Sequence, residues 1–163
     1  MSRGVEPIAS ALKLSVRTWR RLVLRIKAGG RLRYGRDFVV GPRASVARGA
    51  VLVVGERVNI GSDFVTHDDL LIGDDVMISA HVAFIGNDHA FNDPEKTIQE
   101  QELLPRSRVV LEGDNLIGYG SIVLGNVTIG RGVIVGAGSL VTSDLPPNTV
   151  CVGRPAKPTR SRR

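Results

Sequence analysis

Three histidines, His67, His81 and His89, are the side chains of this sequence best suited to exchange a proton near neutral pH. His67 and His81 fall inside a six-residue rhythm, at positions expected to face outward or sit on corners, where a solvated ring is the ordinary outcome. His89 stands where that rhythm breaks, in the polar stretch GNDHAFNDPEKTIQEQELLPRSR, beside Asn87 and Asp88. An imidazole on a loop thrown out from a rigid scaffold is a candidate general base for an alcohol or an amine. The lone cysteine, Cys151, lies outside that stretch; it excludes an intrachain disulfide and fits a reducing cytoplasm.

The rhythm is what must position His89. From Val40 onward an aliphatic residue recurs every six positions, often followed by Gly, with a small or apolar residue four places on. Val40 and Val46 lead the first hexads; after a slip of two, Val54, Ile60, Thr66, Ile72 and Ile78 continue. Leu111, Ile117, Val123, Ile129 and Val135 lead a second series. A period of six is neither helical nor that of a simple strand. It describes a short strand, a corner and another strand, with three such units closing a triangular coil. Val54 should then lie over Ile72, Ile60 over Ile78, Leu111 over Ile129 and Ile117 over Val135, about 4.7–4.9 Å apart. The Gly after each inward residue is expected to supply backbone angles that a β-carbon would oppose.

Composition agrees. Apolar residues make up 42%, enough for a core, while aromatics are only 4% and Gly numbers 19, which suits short aliphatic strands and tight corners. The net charge of +6 is concentrated at the two ends, as in Arg17, Arg20, Arg21, Arg25 and Arg154, Lys157, Arg160. Aromatics are too few for a nucleic-acid stacking platform, and no nucleic-acid partner is expected. No apolar run approaches the roughly 20 residues of a membrane-spanning helix, and Lys13, Arg17 and Arg20 interrupt any signal-like segment. Residues 7–28 read as an amphipathic helix stopped by Gly29-Gly30, with Ile8, Leu12, Val16, Trp19, Val23 and Ile26 as its apolar stripe. The expected division is a helix and basic linker over 1–36, a β-helix domain over 37–153 with an excursion loop at about 86–110, and a basic tail over 154–163. The helix is expected to pack on the first coils or a neighbouring subunit; peripheral contact with an anionic inner-membrane surface is the sharper alternative.

The ordered string HAFNDPEKTI, VTIG, VIVGAGSLVTSDLPPNTV and VGRPAKPTR resembles the maltose, galactoside and exopolysaccharide O-acetyltransferase branch of the bacterial hexapeptide-repeat transferases. The resemblance runs from about Val40 and is strongest in the C-terminal half. It implies a mainly β fold, a left-handed parallel β-helix, against the usual right-handed rule for parallel crossovers. It also implies a homotrimer and acetyl-CoA as acyl donor. His89 takes the family's catalytic-base position, deprotonating a sugar hydroxyl that attacks the thioester with no acyl-enzyme. Asn87 is then a candidate to orient the acceptor; Asp88, or a backbone carbonyl, would hold the imidazole tautomer. Gly118 and the small-residue corner Gly136, Ala137, Gly138 and Ser139 would line the pantetheine path in a groove between two prisms. Arg154 and Lys157 would meet the CoA adenine and phosphates. One departure touches pocket shape: Leu116 stands where relatives often carry Trp before Ile-Gly.

Other readings remain open at this level. N-acylation of an amino sugar or nucleotide sugar would use the same base. A γ-class carbonic anhydrase needs three zinc-binding histidines, and the spacing of His67, His81 and His89 does not match, so no metal is expected. A non-catalytic repeat scaffold has no need of His89 or of the RPAK ending.

Overall fold

A computed structural model describes residues 5–86 and 88–162, with helix side chains from Leu14 onward. Helix α1 (Val5–Lys27) precedes a parallel β-solenoid. Its first coil is β1 (Leu32–Tyr34), β2 (Val39–Val40) and β3 (Ser45–Val46). The second is β4 (Leu52–Val54), β5 (Asn59–Ile60) and β6 (Val65–Thr66), and the third β7 (Asp69–Ile72), β8 (Met77–Ile78) and β9 (Ala83–Ile85). After the excursion come β10 (Arg108–Leu111), β11 (Leu116–Ile117) and β12 (Ile122–Leu124), then β13 (Val127–Ile129), β14 (Ile134–Val135) and β15 (Leu140–Val141). The described residues thus wind five coils and begin a sixth with β16 (Thr149–Gly153), forming the triangular coil that the hexads imply, in keeping with the left-handed β-helix that the resemblance implies.

Each side of the triangle is one parallel sheet. β1-β4-β7-β10-β13 form the first, β2-β5-β8-β11-β14-β16 the second, and β3-β6-β9-β12-β15 the third. The expected stacking is met at every pair named above: Val54 on Ile72, Ile60 on Ile78, Leu111 on Ile129 and Ile117 on Val135. These leading residues are buried, and so is the residue four places on, as in Val58, Phe64, Val76, Val82 and Val133. Thr66 leads one hexad although it is polar; its buried hydroxyl donates to Asp68 O at 3.0 Å.

The reason for Gly after the inward residue differs from the expected one. A β-carbon built at Gly41, Gly61, Gly73, Gly118 or Gly130 would lie 2.5–2.7 Å from backbone atoms of the next coil, so these positions answer to close approach. The left-handed backbone sits two residues later. Arg43, Arg57, Asp63, Asp75 and His81 have φ of 54–61°, and Gly120, Gly132 and Gly138 take the same place in later hexads. That corner residue favours Gly, Asn or Asp, yet charged side chains hold several of these sites because they bond to the coil above or below.

Helix α1 packs on coil one with a face rotated from the expected stripe. Leu24 and Ala28 are buried, Val23 is half-buried, and Val16, Trp19 and Ile26 are exposed; the side chains of Ile8 and Leu12 lie outside the described residues. The Arg21 guanidinium donates to Phe38 O, and Lys27 Nζ donates to Ala44 O at 3.0 Å. These bonds tie Arg21 and Lys27 to coil-one carbonyls, while Arg17 and Arg25 stay exposed. β1 already belongs to the prism, so residues 32–36 are part of its first coil. Residues 156–161 form β17 (Ala156–Ser161), which folds back antiparallel on β16. No helix among the described residues is long and apolar enough to cross a membrane.

Two glycine replacements separate the two constraints. Gly61→Ala, where the β-carbon would meet backbone at 2.6 Å, should cost about 2–3 kcal/mol. Gly120→Ala, in open space at φ 66°, should cost only about 1 kcal/mol. Denaturant unfolding of both variants measures this; equal losses would contradict close approach as the larger constraint.

Candidate active site

The excursion leaves after β9 and returns at β10, so it replaces the corner between the third and first sheets. Its stems pair with each other. His89 bridges Leu103 in antiparallel fashion, Ala90 N–H donates to Glu102 O at 2.8 Å, and Leu104 N–H donates to Asp88 O at 2.7 Å. The Gln101 side chain ties the tip, accepting from Asp93 N–H and donating to Asp93 O, both at 3.1 Å. A short 3-10 turn, Ile98–Glu100, is closed by Thr97 and Glu100. The loop is therefore braced by its own hydrogen bonds.

That bracing sets the imidazole. His89 Nδ1 lies 3.0 Å from Gln101 O. A carbonyl only accepts, so Nδ1 carries the proton and Nε2 keeps its lone pair. Asp88 has no part in fixing the ring, because its carboxylate is exposed and its Oδ1 is 3.9 Å from Nε2, beyond hydrogen-bond range. Between a carboxylate and a backbone carbonyl as holder of the tautomer, the structure thus has the carbonyl. Asn87 lies outside the described residues. His89 lines a cavity of about 380 Å³ with Gly86, Phe91, Ile98 and Leu104. The other two histidines are elsewhere. His67 is exposed on the outer face, and His81 is a corner residue 3.5 Å from Asp63 Oδ2, with Tyr119 against its ring edge. The Arg43 guanidinium holds that Asp63 carboxyl below its ordinary range. Among the described residues no cluster of His, Cys, Asp or Glu is gathered as a metal ion requires.

One group beneath the loop is absent from the hexad reading. Asp68 is buried, directed inward with Leu70 and Ile72 as Ala50 is with Leu52 and Val54. Above it, Ser107 takes the same place before Val109 and Leu111. A β-carbon at Gly86 would collide with both Asp68 Oδ1 and Ser107 Oγ, so both loop stems close over this carboxyl. Asp68 Oδ2 has no hydrogen-bond partner among the described residues. Burial pushes the carboxyl up to about 6, against the opposing pull of His67 and Arg106. Gln101 and Asp68 are the residues that sequence reasoning missed. Gln101 has no signal in the repeat, whereas Asp68 was available by counting back in twos from Ile72.

The small-residue candidates lie on another edge. Gly118 and the corner Gly136–Ser139 join the second sheet to the third, one coil above the other. Ala137 and Gly138 are exposed, and nothing lies within 4 Å of a β-carbon built at Gly138 or Gly120, so this edge is open to the close approach of a slender ligand. Ser139 differs: its side chain is buried, and Oγ accepts from Gly153 N–H at 3.3 Å, leaving only its backbone for that role. Gly118 is half-buried and required by the coil above it. Arg154 and Lys157 are exposed on the hairpin of β16 and β17. Within one chain, therefore, His89 and the small-residue corner occupy different edges of the prism.

Residues 108–143 match the family model described as bacterial transferase hexapeptide (six repeats). The galactoside O-acetyltransferase of Escherichia coli K12 is 31% identical over 130 residues, covering 74% of this chain and 62% of that one. A hexapeptide-repeat-containing acetyltransferase of Vibrio cholerae, solved with acetyl coenzyme A, superposes with a TM-score of 0.76 at 27% identity, over 99% of this chain and 91% of that one. AntD, an N-acyltransferase from Bacillus cereus solved with dTDP and coenzyme A, superposes with a TM-score of 0.69 over 82% of this chain and 74% of that one; at 21% identity it shows the fold alone. The chain spans about half the length of the curated relatives it matches, 42%, 44% and 51% for three of them.

The buried carboxyl gives a signed pH dependence. Asp68 has a folded pKa raised from 3.8 to about 6, so the folded state binds the extra proton between those values and stability falls as pH rises through that window. Asp68→Asn should therefore be more stable than wild type at pH 7.5, by about 3 kcal/mol, with most of the difference gone near pH 4. Thermal melts across pH 4–8 test it; a variant less stable at pH 7.5 would mean the carboxylate is satisfied.

Proposed function

Because the chain belongs to the hexapeptide-repeat transferase family, we propose that it is an acetyl-CoA-dependent O-acetyltransferase acting on a hydroxyl of a sugar or a cell-surface polysaccharide precursor, with His89 as general base. The observation that carries this reading is the His89 tautomer. With Nδ1–H committed to Gln101 O, Nε2 is the nitrogen free to accept a proton. It takes the acceptor hydroxyl proton as the oxygen attacks the thioester carbonyl. The tetrahedral adduct collapses, the C–S bond breaks, and His89 returns the proton to the departing CoA thiolate. The carbonyl opposite Nδ1 stabilises the transient imidazolium by keeping its hydrogen bond. No protein nucleophile is needed, and Cys151 is buried within the prism.

The donor path follows the open edge at Ala137 and Gly138, where the absent side chains fit a pantetheine arm, with Arg154 and Lys157 as cations for the CoA phosphates. Since His89 and that edge are apart within one prism, the reading requires a second copy to bring a corner to each excursion, as a homotrimer does. The acetyl-CoA-bound Vibrio cholerae structure supports the donor, and the galactoside O-acetyltransferase supports a hydroxyl acceptor. An amino sugar is the alternative acceptor, served by the same base. The exposed Leu14, Trp19, Leu22 and Ile26 of α1 are read as a surface for a neighbouring subunit. Peripheral contact with an anionic inner-membrane surface is the other reading of that face. Vesicle co-sedimentation of wild type and Trp19→Glu separates the two, since only membrane contact makes the wild type pellet with anionic lipid.

His89→Ala should lower kcat for acetyl transfer by about 10²–10⁴-fold while acetyl-CoA still binds. Thiol release is followed with paired hydroxyl and amino sugars, and donor affinity by calorimetry. Wild-type turnover in the variant would remove His89 from the chemistry, and turnover confined to amino sugars would make the enzyme an N-acyltransferase.

A further inference from the structure

A second cavity, of about 570 Å³, adjoins that of His89, and the two share Gly86, Asp88 and Leu104. Its other polar lining is His67 and Arg106. Arg106 is held in place yet incompletely neutralised. Its Nη2 donates to Arg48 O at 3.0 Å. Among the described residues the only carboxylate oxygen within 4 Å of it is Asp69 Oδ1, at 3.9 Å, which already accepts from Val51 N–H at 2.9 Å. A guanidinium has five N–H donors, so most of its capacity is unspent.

A second guanidinium reinforces the charge. Arg31 Nη1 donates to Gly49 O at 2.6 Å. A β-carbon at Gly49 would lie 3.5 Å from Arg31 Nη1 and 3.6 Å from Arg106 Nη1, so both cations converge on one corner, beside Arg48. Asp69 and the exposed Asp88 are the facing carboxylates, with Asp68 buried below Gly86. Two cations on one corner repel each other, and a bound anion relieves that repulsion. A neutral sugar would accept hydrogen bonds here but would leave that repulsion in place.

We propose that this cavity is an anion subsite for the acceptor, with Arg106 as the fork and His67 as a second donor for a carboxylate or phosphate on the sugar whose hydroxyl faces His89. The inference rests on the acyl-transfer reading of His89 and narrows its substrate to acidic sugars or sugar phosphates. Arg106 is placed on the excursion stem, so the loop that carries the base also carries the group that orients the acceptor.

The test compares galacturonate with galactose, which differ by a carboxylate on one ring, and glucose 1-phosphate with methyl glucoside. Wild type should favour the charged member of at least one pair by about tenfold or more in kcat/KM; which pair responds distinguishes carboxylate from phosphate. Arg106→Gln should raise KM for the charged acceptor by far more than for its neutral partner and so remove that preference, and Arg106→Lys should keep part of it. Binding of the same sugars, read by ligand-observed NMR without donor, stands apart from turnover. Charged sugars that bind wild type and not Arg106→Gln support the subsite even if no acetyl group is transferred, an outcome that would overturn only the acyl-transfer reading. Equal binding of charged and neutral sugars, or equal loss of both in Arg106→Gln, would overturn the subsite.

Discussion

At five corners successive coils lie so close that the glycine after the inward aliphatic has no space for a β-carbon. At Gly41, Gly61, Gly73, Gly118 and Gly130 that atom would meet the next coil's backbone at 2.5–2.7 Å. The approach follows from the parallel ladders of all three sheets, and it fixes register coil by coil. A slip of one residue would turn the inward Val and Ile outward. Because the register is rigid, a residue's place in the hexad determines its chemistry: at these corners the first and fifth are core, the second is pressed against the next coil, the fourth is left-handed, and the third and sixth face outward.

The candidate site is built by exceptions to that rule. One corner of the prism is replaced by the excursion, and the loop braces itself through Gln101 and Asp93 so that His89 keeps one tautomer. Directly beneath, the inward column takes polar residues, Asp68 and Ser107, where coil two begins from Ala50. A buried carboxyl opposes stability at neutral pH, and this one lies directly under both loop stems. Arg106 on the returning stem lines the adjoining cavity, and Arg31 before the first coil meets it at the corner of Gly49.

Much of this was legible in the sequence because the repeat is so regular. The four stacked pairs, the position of the excursion and the outward placing of His67 and His81 all follow from counting sixes. The role of the post-aliphatic glycines was not legible, because spacing alone does not distinguish a left-handed φ from a close approach. The helix face was hidden for another reason. Trp19 and Ile26 carry more apolar surface than Leu24 and Ala28, but Arg21 and Lys27 find backbone carbonyls of the first coil and set the rotation. Gln101 was invisible because it acts through its carbonyl, which no side-chain pattern reports. Ser139 looked like part of an open corner, although its fifth place in the hexad already turned it inward.

The central claim is that the base and the donor edge of one active site belong to different chains, since the fold puts them on different edges of each prism. Co-expressing His89→Ala with Ala137→Trp measures this directly. Each variant alone should be inactive, and the mixture should regain acetyl transfer, because some interfaces in it unite an intact His89 with an intact corner. Activity in the mixture no higher than that of either variant alone would contradict the shared site.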